Sequence, residues 1–332
     1  MTVEFTVVMP TYNRGDLIAE TLDAVLAQTH APREIIVVDG GSTDNTQEVL
    51  ARYAGRITSR KIAERHVQPK RNLGIGLAKT DWIAFCDSDD IWRPTYLEKQ
   101  AALIAAEPGI GISFGNFQIL RDGKVEAPTK FDDAPTGYWE EVAVRRLPQG
   151  WVFDRSLAGA SLRFHPMFPS AIVLSKELAT KVGGFNSNIP PRAEDGEFTL
   201  RCLYHAKAAA LPELLVLIRR HEANVSRDLV PRLLDEIATL QHARDNHPEA
   251  VPYQPIIDDE IGIRTKDAFN AAFAGKDHDV AAALFEKLPP QWRSTKARFK
   301  NLVARMPAFL ARPLNATLQA LAGRQARDPG KR

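Results

Sequence analysis

In the first hundred residues, short apolar runs alternate with stretches in which apolar residues recur every three or four positions, and few folds accept that rhythm. "FTVVMP" (residues 5–10) is a β-favouring run closed by proline. "GDLIAETLDAVLAQ" then puts Leu17, Ile18, Thr21, Leu22, Val25 and Leu26 on one helical face. "EIIVVD" (residues 34–39) is apolar between its two end acids, the mark of a strand buried on both faces. "STDNTQEVLARYA" reads as a helix with Ser42 or Asp44 as its cap. Next come a weaker strand, "RITSRKIA", and a short helix, "KRNLGIGLAKT", loosened by Gly74 and Gly76. "WIAFCDS" is a strong strand, "RPTYLEKQAALIAAE" a helix with Pro94 near its first turn, and "GISFGNFQIL" a further strand. The expected fold class is α/β, with a mostly parallel central sheet and helices on both faces. Such sheets take ligands at the carboxyl ends of their strands, which singles out residues 11–14, 39–44 and 87–90.

The rhythm breaks over residues 121–166, which hold several Gly and Pro together with Tyr138, Trp139 and Trp151. A stretch this long is usually functional or disordered, and the aromatics argue against disorder. "PSAIVLSKELATKVGGF" restores a strand and a helix from about Ser175, ending at Gly183-Gly184, and "AEDGEFTLRCLYHA" is a helix with acids in its first turn. "LPELLVLIRR" is a strand, and beyond about Arg227 the pattern is helical. The expected organisation is a domain over residues 1–227, split near residue 120, and a helical region over 228–332. The 332 residues carry a net charge of +2 and are 44% hydrophobic, ordinary for a soluble globular chain. No stretch approaches the ~18 apolar residues that span a bilayer. Cys86 and Cys202 lie in apolar surroundings and read as reduced core thiols; with no basic leader at the start, the expected place is the cytoplasm. Residues 290–332 hold ten Lys or Arg against Asp328 alone. That basic end suits an anionic partner, a membrane surface or a phosphate-bearing acceptor.

Residues 87–90, "DSDD", crowd three mutually repelling carboxylates at one strand end. A solvated acidic turn is one reading. The other is a hard divalent cation, which prefers oxygen ligands and bridges carboxylate to substrate phosphate. In "VVDGGSTD", Asp39 closes a buried strand and Gly40-Gly41 let backbone approach a ligand, whereas a plain tight turn needs the glycines without the acid. "PTYNR" sets Pro10, Thr11, Tyr12 and Arg14 at the crevice, with a ring to stack on a base and a guanidinium to meet phosphate or carboxylate. In "RAEDGEFTLR", Glu194 and Asp195 either offer a general base or simply suit the helix dipole. His221 in "RRHEANVS" reads as a metal or phosphate ligand, or as a structural histidine. No G-x-G-x-x-G follows the first two strands, and no P-loop pattern occurs.

In order and spacing, "VVMPTYNR", "EIIVVDGGSTDNT", "RNLGI", "FCDSDD", "GGF…EDGEF" and "RRHEANVS" resemble the motifs of family 2 glycosyltransferases, inverting enzymes of the GT-A fold, over roughly residues 5–227. The resemblance implies a nucleotide-sugar donor (a UDP-sugar first, a dTDP- or GDP-sugar as alternatives) and Mn²⁺ or Mg²⁺ as cofactor. It implies transfer of one sugar to a hydroxyl of a glycan or lipid-linked acceptor in cell-envelope polysaccharide or glycoconjugate synthesis, without a nucleic-acid partner. By the same resemblance, Pro10, Thr11, Tyr12 and Arg14 form the base and ribose platform, Asp39 hydrogen-bonds the base and Arg71 lies near the nucleotide. Asp87 faces the ribose with Ser88 beside it, Asp89 and His221 hold the metal, and Asp195 is the catalytic base. The chain departs at Gly40, where the family commonly carries a second acid. It also lacks the Q-x-x-R-W signature of processive members, so a single addition is expected. The aromatics of residues 121–166 are expected to shape the acceptor side. The basic end is expected either to rest on anionic lipid at the inner face of the membrane or to pack on the catalytic part. In the first case Phe299, Leu302, Val303, Met306, Phe309 and Leu310 form its apolar side. A non-catalytic nucleotide-sugar-binding protein and a nucleotidyltransferase are the rival classes. The latter normally opens on a Gly-rich basic phosphate loop, which "PTYNRGD" is not.

Overall fold

Three of the apolar runs and the weaker strand pair in parallel in the order 3-2-1-4: β1 (Phe5–Thr11), β2 (Glu34–Asp39), β3 (Thr58–Lys61) and β4 (Trp82–Phe85). The structure, a computed structural model, describes residues 3–190, 192–220 and 228–306. Every residue of β1 is buried, as is β2 after Glu34, because helices cover both faces. Helix α1 (Ile18–Leu26) buries Ile18, Thr21, Leu22 and Val25, the face its spacing predicts, and leaves Leu17 and Leu26 half-buried. Helix α2 (Thr46–Ala51) is shorter than expected. Its cap position is Asn45, without a side-chain cap, because Ser42 is turned back onto Asp39. Asp44 instead accepts from the Thr46 amide and hydroxyl. Helix α3 (Val67–Leu77) lies so close to β1 that a Cβ on Gly74 would come 2.2 Å from Val8 Cγ1. Gly74 is thus a packing glycine.

Beyond β5 (Ile91–Trp92) and α4 (Tyr96–Ala106), the sheet continues with β6 (Ile110–Arg121) and a short antiparallel partner, β7 (Lys124–Val125). Residues 121–166 form α5 (Tyr138–Val142), β8 (Arg145–Leu147), β9 (Gly150–Phe153) and α6 (Ser156–Arg163). Tyr138 and Trp139 are buried, with Trp139 4.4 Å from Phe131 and 5.1 Å from Trp151 between ring centroids. They pack on one another as a small core, with Trp151 half-buried. β10 (Ile172–Ser175) enters between β4 and β6 and runs antiparallel to both. Helix α7 (Lys176–Lys181) follows, capped by Ser175, whose hydroxyl accepts from Leu178 N. Helix α8 (Glu194–His205) and the long β11 (Lys207–Arg220) complete an eleven-stranded sheet ordered β3-β2-β1-β4-β10-β6-β11-β9-β8, with β5 beside β11 and β7 beside β6.

The chain divides into two compact units. The first spans Met1–Val225 and regains His247–Ile256. In that returning peptide the Tyr253 ring stacks 5.8 Å from Tyr204. It also fills the notch at Gly159, where a Cβ would sit 3.0 Å from Tyr253 Cδ1. The second unit is helical: α9 (Leu229–Asn246) and most of α10 (Gln254–Ala274), with α11 (His278–Lys287) and α12 (Thr295–Ala304). Its core gathers Phe269, Phe273, Leu284, Phe285, Leu288 and Val303. Cys86 and Cys202 are buried and free. Among the described residues no helix is long and apolar enough to cross a membrane.

Candidate functional site

The carboxyl ends of β1, β2 and β4 meet the start of α8, and each acid there has a distinct partner. Of the three carboxylates that follow β4, Asp87 accepts from Arg71 Nη2 at 2.8 Å and Asp89 from Arg14 Nε at 3.0 Å. Asp90 turns inward to Ser170 Oγ at 2.5 Å and the Arg219 amide at 2.8 Å. Burial, then the charges of Asp89 and Asp87, raise the Asp90 pKa well above the usual carboxylate range. It is a structural acid that fixes β11 beside the strand end. Ser88 between them is buried.

Arg71 is the centre of the arrangement. It is only 2% exposed, and its guanidinium spans from Asp87 to Glu194 Oε1 at 3.2 Å, with the Phe185 ring 5.1 Å away. Burial opposes its charge, but Asp87 and Glu194 outweigh that and raise its pKa. It sits inside the site as a tie between β4 and α8, not on an open face. Glu194 and Asp195 begin α8, where the helix dipole favours negative charge. Burial first, then the charge of Asp195, lift the Glu194 carboxyl to about 8. Asp195 is half-buried, and its side chain accepts from the Gly196 amide at 2.9 Å.

At the other end of the cleft, Asp39 is fully buried. Its oxygens take the Ser42 amide, the Ser42 hydroxyl at 2.5 Å and Gln47 Nε2 at 2.5 Å. Pro10 and Thr11 are buried at the end of β1. Asn13 takes a left-handed φ of 50° and turns the chain toward residues 42–46. The Tyr12 ring lies 5.2 Å from the Arg65 guanidinium and 5.9 Å from Lys70 Nζ. Lys70 is buried and donates to the Thr11 carbonyl at 3.1 Å. Burial pushes its pKa down to about 8, against the pull of Asp87 and Asp39. Sequence reasoning passed over Lys70, which looks like any helical lysine beside an arginine.

The structure therefore brings Pro10, Thr11, Tyr12, Arg14, Asp39, Arg71, Asp87, Ser88, Asp89 and Asp195 to one edge of the sheet, while His221 lies outside the described residues. The hard carboxylate oxygens of Asp87 and Asp89 suit a divalent cation such as Mn²⁺ or Mg²⁺.

Residues 6–159 match the model of glycosyl transferase family 2. A UDP-Glc:alpha-D-GlcNAc-diphosphoundecaprenol beta-1,3-glucosyltransferase of Escherichia coli, WfgD, is 32% identical over 132 residues, 38% of this chain and 51% of that protein. The chain thus spans about half the length of that relative. The glycosyltransferase GlyG of Streptococcus pneumoniae is 27% identical over 233 residues, 67% of this chain and 72% of its own. Among solved structures, S. aureus TarS 1–349 in complex with UDP-GlcNAc superposes with a TM-score of 0.64 at 16% identity, covering 96% of this chain and 92% of that one. The mannosyltransferase PcManGT of Pyrobaculum calidifontis, in complex with GDP-Man and Mn²⁺, gives 0.56 at 19% identity, covering 99% and 88%. At such identities the likeness is one of fold.

Proposed function

Because residues 6–159 match the model of glycosyl transferase family 2, we propose that the chain is a metal-dependent inverting glycosyltransferase. It moves one sugar from a nucleotide-sugar donor to a hydroxyl of a glycan or lipid-linked acceptor in cell-envelope polysaccharide synthesis. The observation that carries this is the Arg71 tie: one buried guanidinium holds Asp87 at the strand end and Glu194 at the helix start. The carboxylates that suit a diphosphate-bound cation thereby share a cleft with the acid suited to act as base. The lipid-linked sugar in the name of the E. coli relative supports the acceptor class, and the nucleotide sugars held by TarS and PcManGT support the donor class.

In this mechanism the Tyr12 ring and Asp39 seat the base, and Arg14 and Arg71 set the positions of Asp89 and Asp87. Asp89 and His221, with Asp87 adjoining, would hold Mn²⁺ or Mg²⁺, which when bound neutralises charge growing on the leaving diphosphate. Asp195 accepts the proton of the acceptor hydroxyl as its oxygen attacks the anomeric carbon. The bond from that carbon to the diphosphate oxygen breaks, and the nucleoside diphosphate departs with the electron pair. A single displacement inverts the anomeric centre.

Two measurements test this. Donor turnover should require Mn²⁺ or Mg²⁺ and vanish in chelator; full activity in chelator overturns the cation's role. Asp195→Asn should bind donor as the native protein does and lose turnover by about 10²-fold or more; unchanged turnover removes Asp195 as the base. A chain that binds nucleotide sugar yet turns over none, with any acceptor or water, would instead be a binding protein.

A further inference from the structure

We propose that Lys70 reads the nucleobase: beside the Asp39 carboxylate, its ammonium completes an acceptor–donor pair that fits the H–N–C=O edge of uracil, thymine or guanine. The inference rests on the nucleotide-sugar reading of this site and adds a specificity residue to it.

Lys70 is 4% exposed. Among the described residues its hydrogen bond is the one to the Thr11 carbonyl, at 3.1 Å, yet an ammonium has three donors. Thr11 Oγ1, on the same strand end, is also buried, with no hydrogen-bond partner among the described residues. Buried polar capacity left unused is costly, so the spare donors of Lys70 and the unpartnered Thr11 hydroxyl at one place mark a site awaiting a polar ligand. The Tyr12 ring, 5.9 Å from Lys70 Nζ, offers a flat face at the same spot.

Gly40 explains how the amine reaches this position. A Cβ there would lie 2.4 Å from the Glu64 carbonyl oxygen and 3.2 Å from Lys70 Nζ. Any side chain at position 40 would compete with the amine for this space. The Gly40–Lys70 contact thus puts a cation at the strand end that Asp39 closes.

A carboxylate accepts N–H and an ammonium donates to C=O, so the pair matches N3–H with a flanking carbonyl in uracil or thymine, and N1–H with O6 in guanine. The base N–H takes over the Asp39 oxygen that Gln47 holds here. Cytosine and adenine present a ring nitrogen acceptor and an amino donor, which mismatch both partners.

The test is calorimetric binding of UDP, GDP, CDP and ADP, with Mn²⁺, to the full chain, to Lys70→Met and to Lys70→Gln. The native protein should prefer UDP over CDP, or GDP over ADP, by about tenfold or more, the scale of one charged hydrogen bond. Lys70→Met should weaken the preferred diphosphate about tenfold and change its amino-bearing counterpart by less than about twofold, while Lys70→Gln, which keeps a donor, should retain part of the preference. Equal weakening of all four by Lys70→Met, or native affinities that do not discriminate, overturns the role of Lys70 and leaves nucleotide binding standing. A native protein that binds none of the four overturns both.

Discussion

Glu194 holds its proton at a pH where most carboxyls have lost theirs, because burial and the neighbouring charge of Asp195 lift it from 4.5 to about 8. The folded protein therefore binds more protons than the unfolded chain between those values. The stabilisation is whole below the unfolded pKa and is lost as pH rises through about 8, at up to ~1.4 kcal/mol per pH unit. Glu194→Gln, which keeps size and polarity, should flatten the fall in thermal midpoint between pH 5 and 8; parallel profiles for variant and native protein would show that Glu194 titrates normally. At this scale the sequence spoke clearly where chemistry and strand ends coincide. Asp39, Asp87, Asp89 and Asp195 are acids that follow apolar runs or open a helix, and all four lie along the cleft. It was silent about Lys70, whose amine meets Thr11 and Gly40 at the ends of two strands distant in sequence, and about Asp90, whose partners Ser170 and Arg219 are far away in sequence.

Among the elements, α3 has the most exacting position. Gly74 lets it press on Val8. Two residues earlier, Asn72 pins the chain after α7, accepting from the Phe185 amide at 2.7 Å and donating to the Phe185 carbonyl at 2.8 Å. Gly184, with φ of 70°, must stay bare there, since a Cβ would come 2.5 Å from Asn72 Oδ1. Two stretches read as separate motifs, "RNLGI" and "GGF", are thus the two halves of one contact, which seats Phe185 against Phe198 at 3.9 Å between centroids. Asn72→Ala should cost about 1–3 kcal/mol, read from urea unfolding, and a change below ~0.5 kcal/mol would make the contact incidental. Strand positions were legible from apolar runs, but their directions were not. β10 has the same apolar character as β4 and β6 on either side of it, yet it runs antiparallel to both. The two-residue β5 is too short to show any period, and the first half of β11 hides in an alanine run.

At the scale of the molecule, the helical unit settles part of the question raised by the basic end. Val303 is fully buried in that unit's own core, out of reach of lipid, and the half-buried Met306 packs on that core. Phe299 and Leu302 are 40% and 54% exposed on the outer side of α12, while Phe309 and Leu310 lie outside the described residues. A chain ending at Met306 keeps the core and removes five of the ten basic residues counted from residue 290. It should bind anionic vesicles at least several-fold more weakly in low salt than the full chain, since each lost contact is worth about 1 kcal/mol, with donor turnover unchanged. Equal sedimentation with vesicles would end the lipid reading. The returning peptide His247–Ile256 has a separate consequence. Neither unit is one uninterrupted stretch of chain, so a hybrid joined at a single point near residue 226 takes its sheet from one parent and the ring that seals Gly159 from the other. Exchange of specificities between such chains therefore needs a second, matched crossover bracketing Tyr253, and one-junction chimaeras should survive only between parents that agree at both places.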